Sequence, residues 1–148
     1  RHHYAEDITL EDAAESMNMS PFYFSRQIKA TTGKTFLEYL LENMPQSFVM
    51  MLDTGNMLAG GGDPIATVKK FPGRSPVVHI KGYGKEKGYT TPVWEAEIDW
   101  KEMMKTAVEV GGVQVMSIEF GARGDYEPFD RAQKSYVWLE EQLKALEG

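Results

Sequence analysis

The chain has 148 residues, no cysteine and a net charge of −6, and its composition of 42% hydrophobic and 26% charged residues is ordinary for a water-soluble globular protein. The missing cysteine excludes disulfide bonds and thiolate metal sites. Neither a long apolar run nor a basic-then-apolar leader occurs, so we expect a cytoplasmic protein that does not interact with a membrane.

A short helix is predicted to begin near residue 10. Thr9 is a residue type that caps helices, because its hydroxyl accepts a hydrogen bond from a free backbone N–H. Apolar residues then recur at helical spacing and predict one buried stripe, formed by Leu10, Ala13, Ala14 and Met17. Asn18 tolerates the left-handed backbone conformation that ends such a helix.

A second helix is predicted directly after this turn. Ser20 is its expected cap, Pro21 suits the first helical position, and Gly33 is expected to end it. A helix, a turn and a second helix form the geometry that inserts side chains into the major groove of DNA. The residues expected on or near its outer face are Phe22, Ser25, Arg26 and Lys29.

The segment TLEDAAESMNMSPFYFSRQIKATTGKTFLEYL resembles the first helix-turn-helix of AraC-type transcription regulators. The resemblance covers residues 5–43 and implies that Phe22, Ser25 and Arg26 contact base edges while Lys29 lies near phosphate. That family normally uses two such motifs, and the second is missing here. Residues 1–43 also carry four basic against seven acidic side chains, which opposes phosphate binding, so we expect weak binding to DNA.

The remaining residues, 44–148, alternate between strand and helix patterns. Apolar runs at 48–52, 77–80 and 113–118 predict buried strands, and Asp63 and Asp99 are expected to begin helices between them. The second of these helices has an apolar stripe, and the last helix has apolar residues on one side; the two sets are Trp100, Met103, Met104, Ala107, Val108 and Tyr136, Leu139, Leu143, Leu146. Such alternation implies parallel strands.

The predicted fold class is therefore α/β. A helix-turn-helix domain (1–43) is followed by a three-stranded parallel β/α partial-barrel fragment (44–148). Three strands leave an apolar face and two edges uncovered, so we expect either the preceding helices or a second copy in a homodimer to cover them.

Polar residues stand where the predicted strands end. Asp53, His79 and Glu119 follow or close the three apolar runs, and the carboxyl ends of parallel strands converge on one side of a sheet. Carboxylate oxygens and an imidazole nitrogen together suit Mn, Mg, Co or Zn. The sequence thus indicates a divalent-metal site, although each residue is equally compatible with an ordinary structural role.

The segments MLDTGN, AGGGDPIATVKKFPGRSPVVHIK, WEAEIDW and VMSIEF resemble the last three β/α units of sugar phosphate isomerases and epimerases of the xylose isomerase-like barrel superfamily, over residues 46–146. The resemblance implies that Asp53, His79 and Glu119 are metal ligands and that Glu119 is also one of two acid–base carboxylates. The first glutamate of the family's site lies on a strand this chain lacks, and Asn56 stands where many relatives have histidine. Lys81 resembles a substrate-side lysine, or is a solvated strand-end charge.

Three hypotheses follow for this chimera-like sequence, whose origin is a natural fusion, an engineered chimera or a generated sequence. The first is a DNA-binding regulatory protein with a non-catalytic isomerase-like remnant, for which no cofactor is needed. The second is an acidic protein that binds a protein partner, in which the net charge of −6 has the main role. The third is a metal-dependent sugar phosphate isomerase or epimerase, whose acid–base pair is incomplete.

Overall fold

The computed structural model describes residues 9–120 and 126–146. The chain divides into two compact units, Arg1–Ser47 and Phe48–Gly148, which we call the helical unit and the sheet unit. The helical unit contains a helix-turn-helix, and the sheet unit contains three parallel strands with flanking helices. The predicted α/β fold class is confirmed.

Local capping explains the helices of the helical unit, which are α1 (Leu10–Ser16), α2 (Pro21–Thr32) and α3 (Phe36–Asn43). Thr9 caps α1 by accepting the N–H of Asp12, and the Asp12 carboxylate returns a contact to Thr9. Between the helices, Asn18 adopts a left-handed backbone with φ of 54°. Ser20 caps α2 and Gly33, with φ of 74°, ends it, as the sequence predicts.

A small apolar core joins these three helices. Ala14 and Leu41 are buried, and the rings of Phe24 and Phe36 meet edge to face with centroids 5.5 Å apart. The expectation that Met17 completes the buried stripe of α1 is wrong, because α1 ends at Ser16 and Met17 is 58% exposed. The stripe stops where the helical periodicity stops.

The sheet unit alternates strand and helix along the chain. Its elements are β1 (Met51–Asp53), α4 (Thr54–Ala59), α5 (Pro64–Lys70), β2 (Val77–Lys81), α6 (Trp100–Thr106), β3 (Val115–Glu119) and α7 (Pro128–Lys144), with a 3-10 turn at Val93–Glu95 and a π-helical turn at Ala107–Gly111. Asp63 and Asp99 cap α5 and α6, as predicted. The strands lie in the order β1-β2-β3 and all pair in parallel.

The two faces of the sheet differ in character. Leu52, Val78 and Ile80 point to the buried face, and the buried side chains of α5 and α6 add Val68, Met103 and Met104 to the apolar core. Because side chains alternate along a strand, the opposite face carries the other set, which is Met51, Asp53, Val77, His79, Lys81, Val115, Ser117 and Glu119. Polar residues on this face gather at the carboxyl ends of the strands.

Two apolar patterns depart from the expectation. Three residues of the predicted stripe are buried in α6, and Ala107 is buried at the start of the π-helical turn. Val108 is 56% exposed, because the wider turn rotates the residues that follow Ala107. In α7 the buried side chains are Arg131 and Ser135, whereas Tyr136 and Leu143 are exposed.

Over the described residues, no helix has both the length and the apolar character needed to cross a membrane.

Candidate functional site

Four polar side chains meet at the carboxyl ends of the strands. We call Asp53, His79, Lys81 and Glu119 the carboxylate cluster. The register explains their proximity, because Asp53 pairs with His79 and Lys81 pairs with Glu119 on one face of the sheet. The sequence predicted three of these residues as a group, and the fold brings all three together.

Asp53 closes β1 and caps the helix that follows it. Its Oδ1 accepts the backbone N–H of Asn56 at 2.8 Å, and its Oδ2 accepts the Asn56 side-chain amide at 2.8 Å. The same Oδ2 lies 3.4 Å from Lys81 Nζ. The carboxylate is therefore held in one orientation by the helix terminus, with Oδ2 directed toward the cluster.

Lys81 is the most enclosed side chain of the cluster. Its residue is 8% exposed, and its Nζ donates to Glu119 Oε1 at 2.8 Å. Burial by itself lowers the pKa of Lys81, but the hydrogen bond to Glu119 and the charges of Asp53 and Glu119 outweigh it, so the pKa lies above its ordinary 10.5. The reading of Lys81 as a solvated strand-end charge is wrong.

His79 and Glu119 form the other side of the cluster. His79 Nδ1 lies 2.7 Å from Glu119 Oε2, a distance at which a protonated Nδ1 donates to the carboxylate. The hydrogen bond from Lys81 is the main cause that holds the pKa of Glu119 below its ordinary 4.5; burial opposes it, and His79 assists it. A lowered pKa keeps Glu119 ionised and makes it a weaker proton acceptor.

Thr54 and Gly55 support the cluster, and neither was predicted from the sequence to do so. Thr54 is fully buried, and its hydroxyl oxygen accepts a hydrogen bond from the backbone N–H of Lys81 at 2.9 Å. The hydroxyl proton is within donating distance of two backbone carbonyl oxygens, that of Lys81 at 2.9 Å and that of His79 at 3.1 Å. Gly55 leaves room for the lysine stem, because a Cβ there would lie 2.8 Å from Lys81 Cγ. Their position directly after Asp53 was the available signal.

The cluster offers a mixed oxygen and nitrogen donor set. One ligand atom from each of Asp53, His79 and Glu119 lies within 4.8 Å of the other two, and all three residues are half-buried. The Lys81 ammonium already contacts both carboxylates of this group, so the cluster accommodates positive charge. Donor chemistry and spacing thus fit a divalent cation.

A second candidate site is the surface of α2. Phe22 is 73% exposed, Arg26 and Lys29 are exposed, and Ser25 is half-buried. The Arg26 guanidinium lies 5.6 Å from the centroid of the Phe22 ring, so the cation and the ring form one surface on the first two turns. No acidic residue occupies the first turn of α2.

Acidic side chains lie on the neighbouring helix. Glu11, Asp12 and Glu15 of α1 are exposed. The pKa of Asp12 lies below its ordinary 3.8, because the Thr9 hydroxyl and backbone donate to it, so this side chain stays charged. The helical unit therefore combines a cationic and aromatic face on α2 with an anionic α1.

Comparison with known proteins bears on the helical unit. No curated protein matches the chain, and the resemblance of residues 46–146 to sugar phosphate isomerases stays a prediction. Over residues 1–41 the sequence matches the family of bacterial regulatory helix-turn-helix proteins, AraC family. This match covers less than a third of the chain and contains α1, α2 and most of α3.

Proposed function

We propose that residues 1–43 are a DNA-binding domain and that α2 is its recognition helix. The observation that carries the proposal is the exposed pair of Phe22 and Arg26 at the start of a capped helix within the family match. In helix-turn-helix proteins the N-terminal residues of the second helix contact base edges. Arginine pairs with guanine, and an aromatic ring contacts the thymine methyl group.

The other predicted contacts have different roles. Lys29 is exposed two helical turns after Phe22 and suits a phosphate contact, which fixes position without reading sequence. Ser25 is half-buried and its side chain is short, so it contacts a base only where α2 lies close to the DNA. Few cations and an acidic α1 predict weak binding, with a dissociation constant on the order of 10⁻⁵ M and a shallow dependence on salt.

A homodimer would give this domain a second recognition helix. Helix-turn-helix dimers place two such helices on half-sites about one DNA turn apart. We therefore expect the affinity for a duplex to increase when the protein self-associates. Sedimentation velocity measures the self-association.

The test is fluorescence anisotropy on a labelled random duplex at low salt. Lys29→Ala, which removes the expected phosphate contact of α2, should weaken binding several-fold and reduce the slope of log affinity against log salt by about one. Lys101→Ala is the matched control, since it removes one exposed positive charge from the sheet unit. No binding by the wild-type protein, or equal losses in both variants, overturns the proposal.

We propose divalent-metal binding by the carboxylate cluster as a second candidate function. The spacing of the Asp53, His79 and Glu119 ligand atoms, within 4.8 Å of one another, favours it. A bound ion would supply Lewis-acid polarisation of a substrate oxygen. Isomerase chemistry needs two acid–base groups. Among the described residues, Asp53 is the only carboxylate of the cluster besides Glu119, and both of its oxygens already accept hydrogen bonds from Asn56.

Calorimetric titration with Mn²⁺ tests this site. Asp53→Asn and Glu119→Gln should each abolish binding, whereas Glu102→Gln, a carboxylate on α6 outside the cluster, should retain it. Absence of binding by the wild-type protein, or binding that survives both cluster variants, removes the metal proposal. The hypothesis of an acidic protein with a protein partner stays a prediction from net charge alone.

A further inference from the structure

Lys81 is built into the carboxylate cluster. It ends β2, a strand that is otherwise apolar apart from His79, and the side chain is almost fully enclosed. Its backbone N–H is fixed by Thr54, its stem lies against Gly55, and its Nζ is 5.4 Å from the centroid of the Tyr89 ring. An enclosure of this kind places the ammonium at a defined point.

The ammonium and a divalent cation require the same two carboxylates. Lys81 Nζ lies 2.8 Å from Glu119 Oε1 and 3.4 Å from Asp53 Oδ2, and these two carboxylates supply the anionic ligands of the candidate metal site. A bound ion would compete with the ammonium for these carboxylates and would also be repelled by the positive charge beside it. Competition and repulsion both weaken metal binding, although the positions of the three ligand residues suit an ion.

We propose that Lys81 is an internal cation that occupies the metal site and competes with divalent ions for Asp53 and Glu119. The inference rests on the second proposed function, metal binding by the cluster. It specifies the regulation of that site: the site fills only when the concentration of the ion is high enough to displace the ammonium. Neutralising Lys81 frees both carboxylates for the ion.

Calorimetric titration with Mn²⁺ compares two substitutions that differ in charge. Lys81→Met keeps an unbranched stem without the charge and should bind Mn²⁺ at least about tenfold more tightly than wild type. Lys81→Arg keeps the charge and should not gain affinity. Lys87→Met removes a lysine that pairs with Glu95 at 2.8 Å outside the cluster, and it should match wild type.

The site of any gain is located by a double variant. Lys81→Met combined with Glu119→Gln should lose the tighter binding, which assigns the gain to this cluster. Circular dichroism and tryptophan fluorescence check that each variant is folded. If Lys81→Met does not fold, the wild-type protein supplies the readout: the NMR signal of the Lys81 Cε methylene, assigned through Lys81→Arg, should shift as Mg²⁺ fills the site.

The outcomes separate the inference from the metal proposal. Wild-type binding that Lys81→Met leaves unchanged, or an unshifted Lys81 signal at saturation, overturns the inference and leaves the metal site standing. An equal gain in Lys81→Arg also overturns it. If neither wild type nor Lys81→Met binds the ion, the metal site itself is wrong, and the inference is wrong with it. Binding by Lys81→Met alone means that the ion does not displace the ammonium in the wild-type protein, so it overturns both the metal proposal and the inference.

Discussion

Replacement of Thr54 by valine removes one oxygen from beneath the carboxylate cluster and leaves the size of the side chain nearly unchanged. The Thr54 hydroxyl is fully buried and accepts the backbone N–H of Lys81 at 2.9 Å. Without it, that N–H in the central strand loses the partner that the threonine provides, at a cost of about 1–3 kcal/mol. We therefore expect Thr54→Val to lower the free energy of unfolding by about 2 kcal/mol.

Serine at the same position provides the matched comparison. Thr54→Ser keeps the hydroxyl and deletes one buried methyl group, for which we expect a loss of about 1 kcal/mol. If packing alone determined stability, serine would be the worse substitution, because valine preserves the volume. The hydrogen-bond argument predicts the opposite order, so the ranking of the two variants is the decisive result.

Urea denaturation followed by tryptophan fluorescence measures this effect. The tryptophans of the chain, Trp94, Trp100 and Trp138, all lie in the sheet unit, so the signal reports on the unit that contains Thr54. The midpoint should fall without a change in slope, since the surface exposed on unfolding is the same. A Thr54→Val protein as stable as wild type, or more stable than Thr54→Ser, would show that the Thr54 hydroxyl does not stabilise the fold.

Two further predictions concern the sheet unit. Gly82→Ala should lower the free energy of unfolding by about 1–3 kcal/mol, because a Cβ there would lie 2.3 Å from the Thr91 carbonyl oxygen. Gly60→Ala, whose nearest atoms are 3.5 Å away, should change it by less than about 0.5 kcal/mol, and equal losses would contradict the steric argument. The hydrogen bond from Lys69 holds the pKa of Glu102 below its ordinary 4.5, so this carboxylate stabilises the fold above that pH and loses its contribution as the pH falls through the folded pKa. In urea midpoints, the gap between wild type and Glu102→Gln should be present near pH ~7 and absent near pH ~2, and a gap independent of pH would contradict the ion-pair origin.

Most helix starts were predictable from the sequence because they depend on neighbouring residues. Thr9, Ser20, Asp63 and Asp99 each cap the helix that follows, through a hydrogen bond that spans only three positions. The left-handed turn at Asn18 is equally local. Interactions of this range depend only on residue types a few positions apart, so they can be predicted from the sequence.

Predictions of burial succeeded less consistently. Met17 and Val108 fit their apolar stripes by spacing, yet both are exposed, because α1 ends early and a π-helical turn interrupts the periodicity after α6. In α7 the residues Arg131 and Ser135 are buried in place of Tyr136. A periodic pattern identifies a face of a helix, but packing against other elements determines which face is covered.

Periodicity, capping and chain order are local properties, so the α/β class, most helix starts and the group of Asp53, His79 and Glu119 at the strand ends could be predicted from the sequence. The surroundings of that group depend on contacts between residues that are distant in the chain. Thr54 and Gly55 follow Asp53 in the chain, but their contacts are with Lys81, more than twenty residues away. The parallel pairing of β1 and β2 brings these residues together, and that pairing fixes an ammonium where spacing alone suggested only metal ligands.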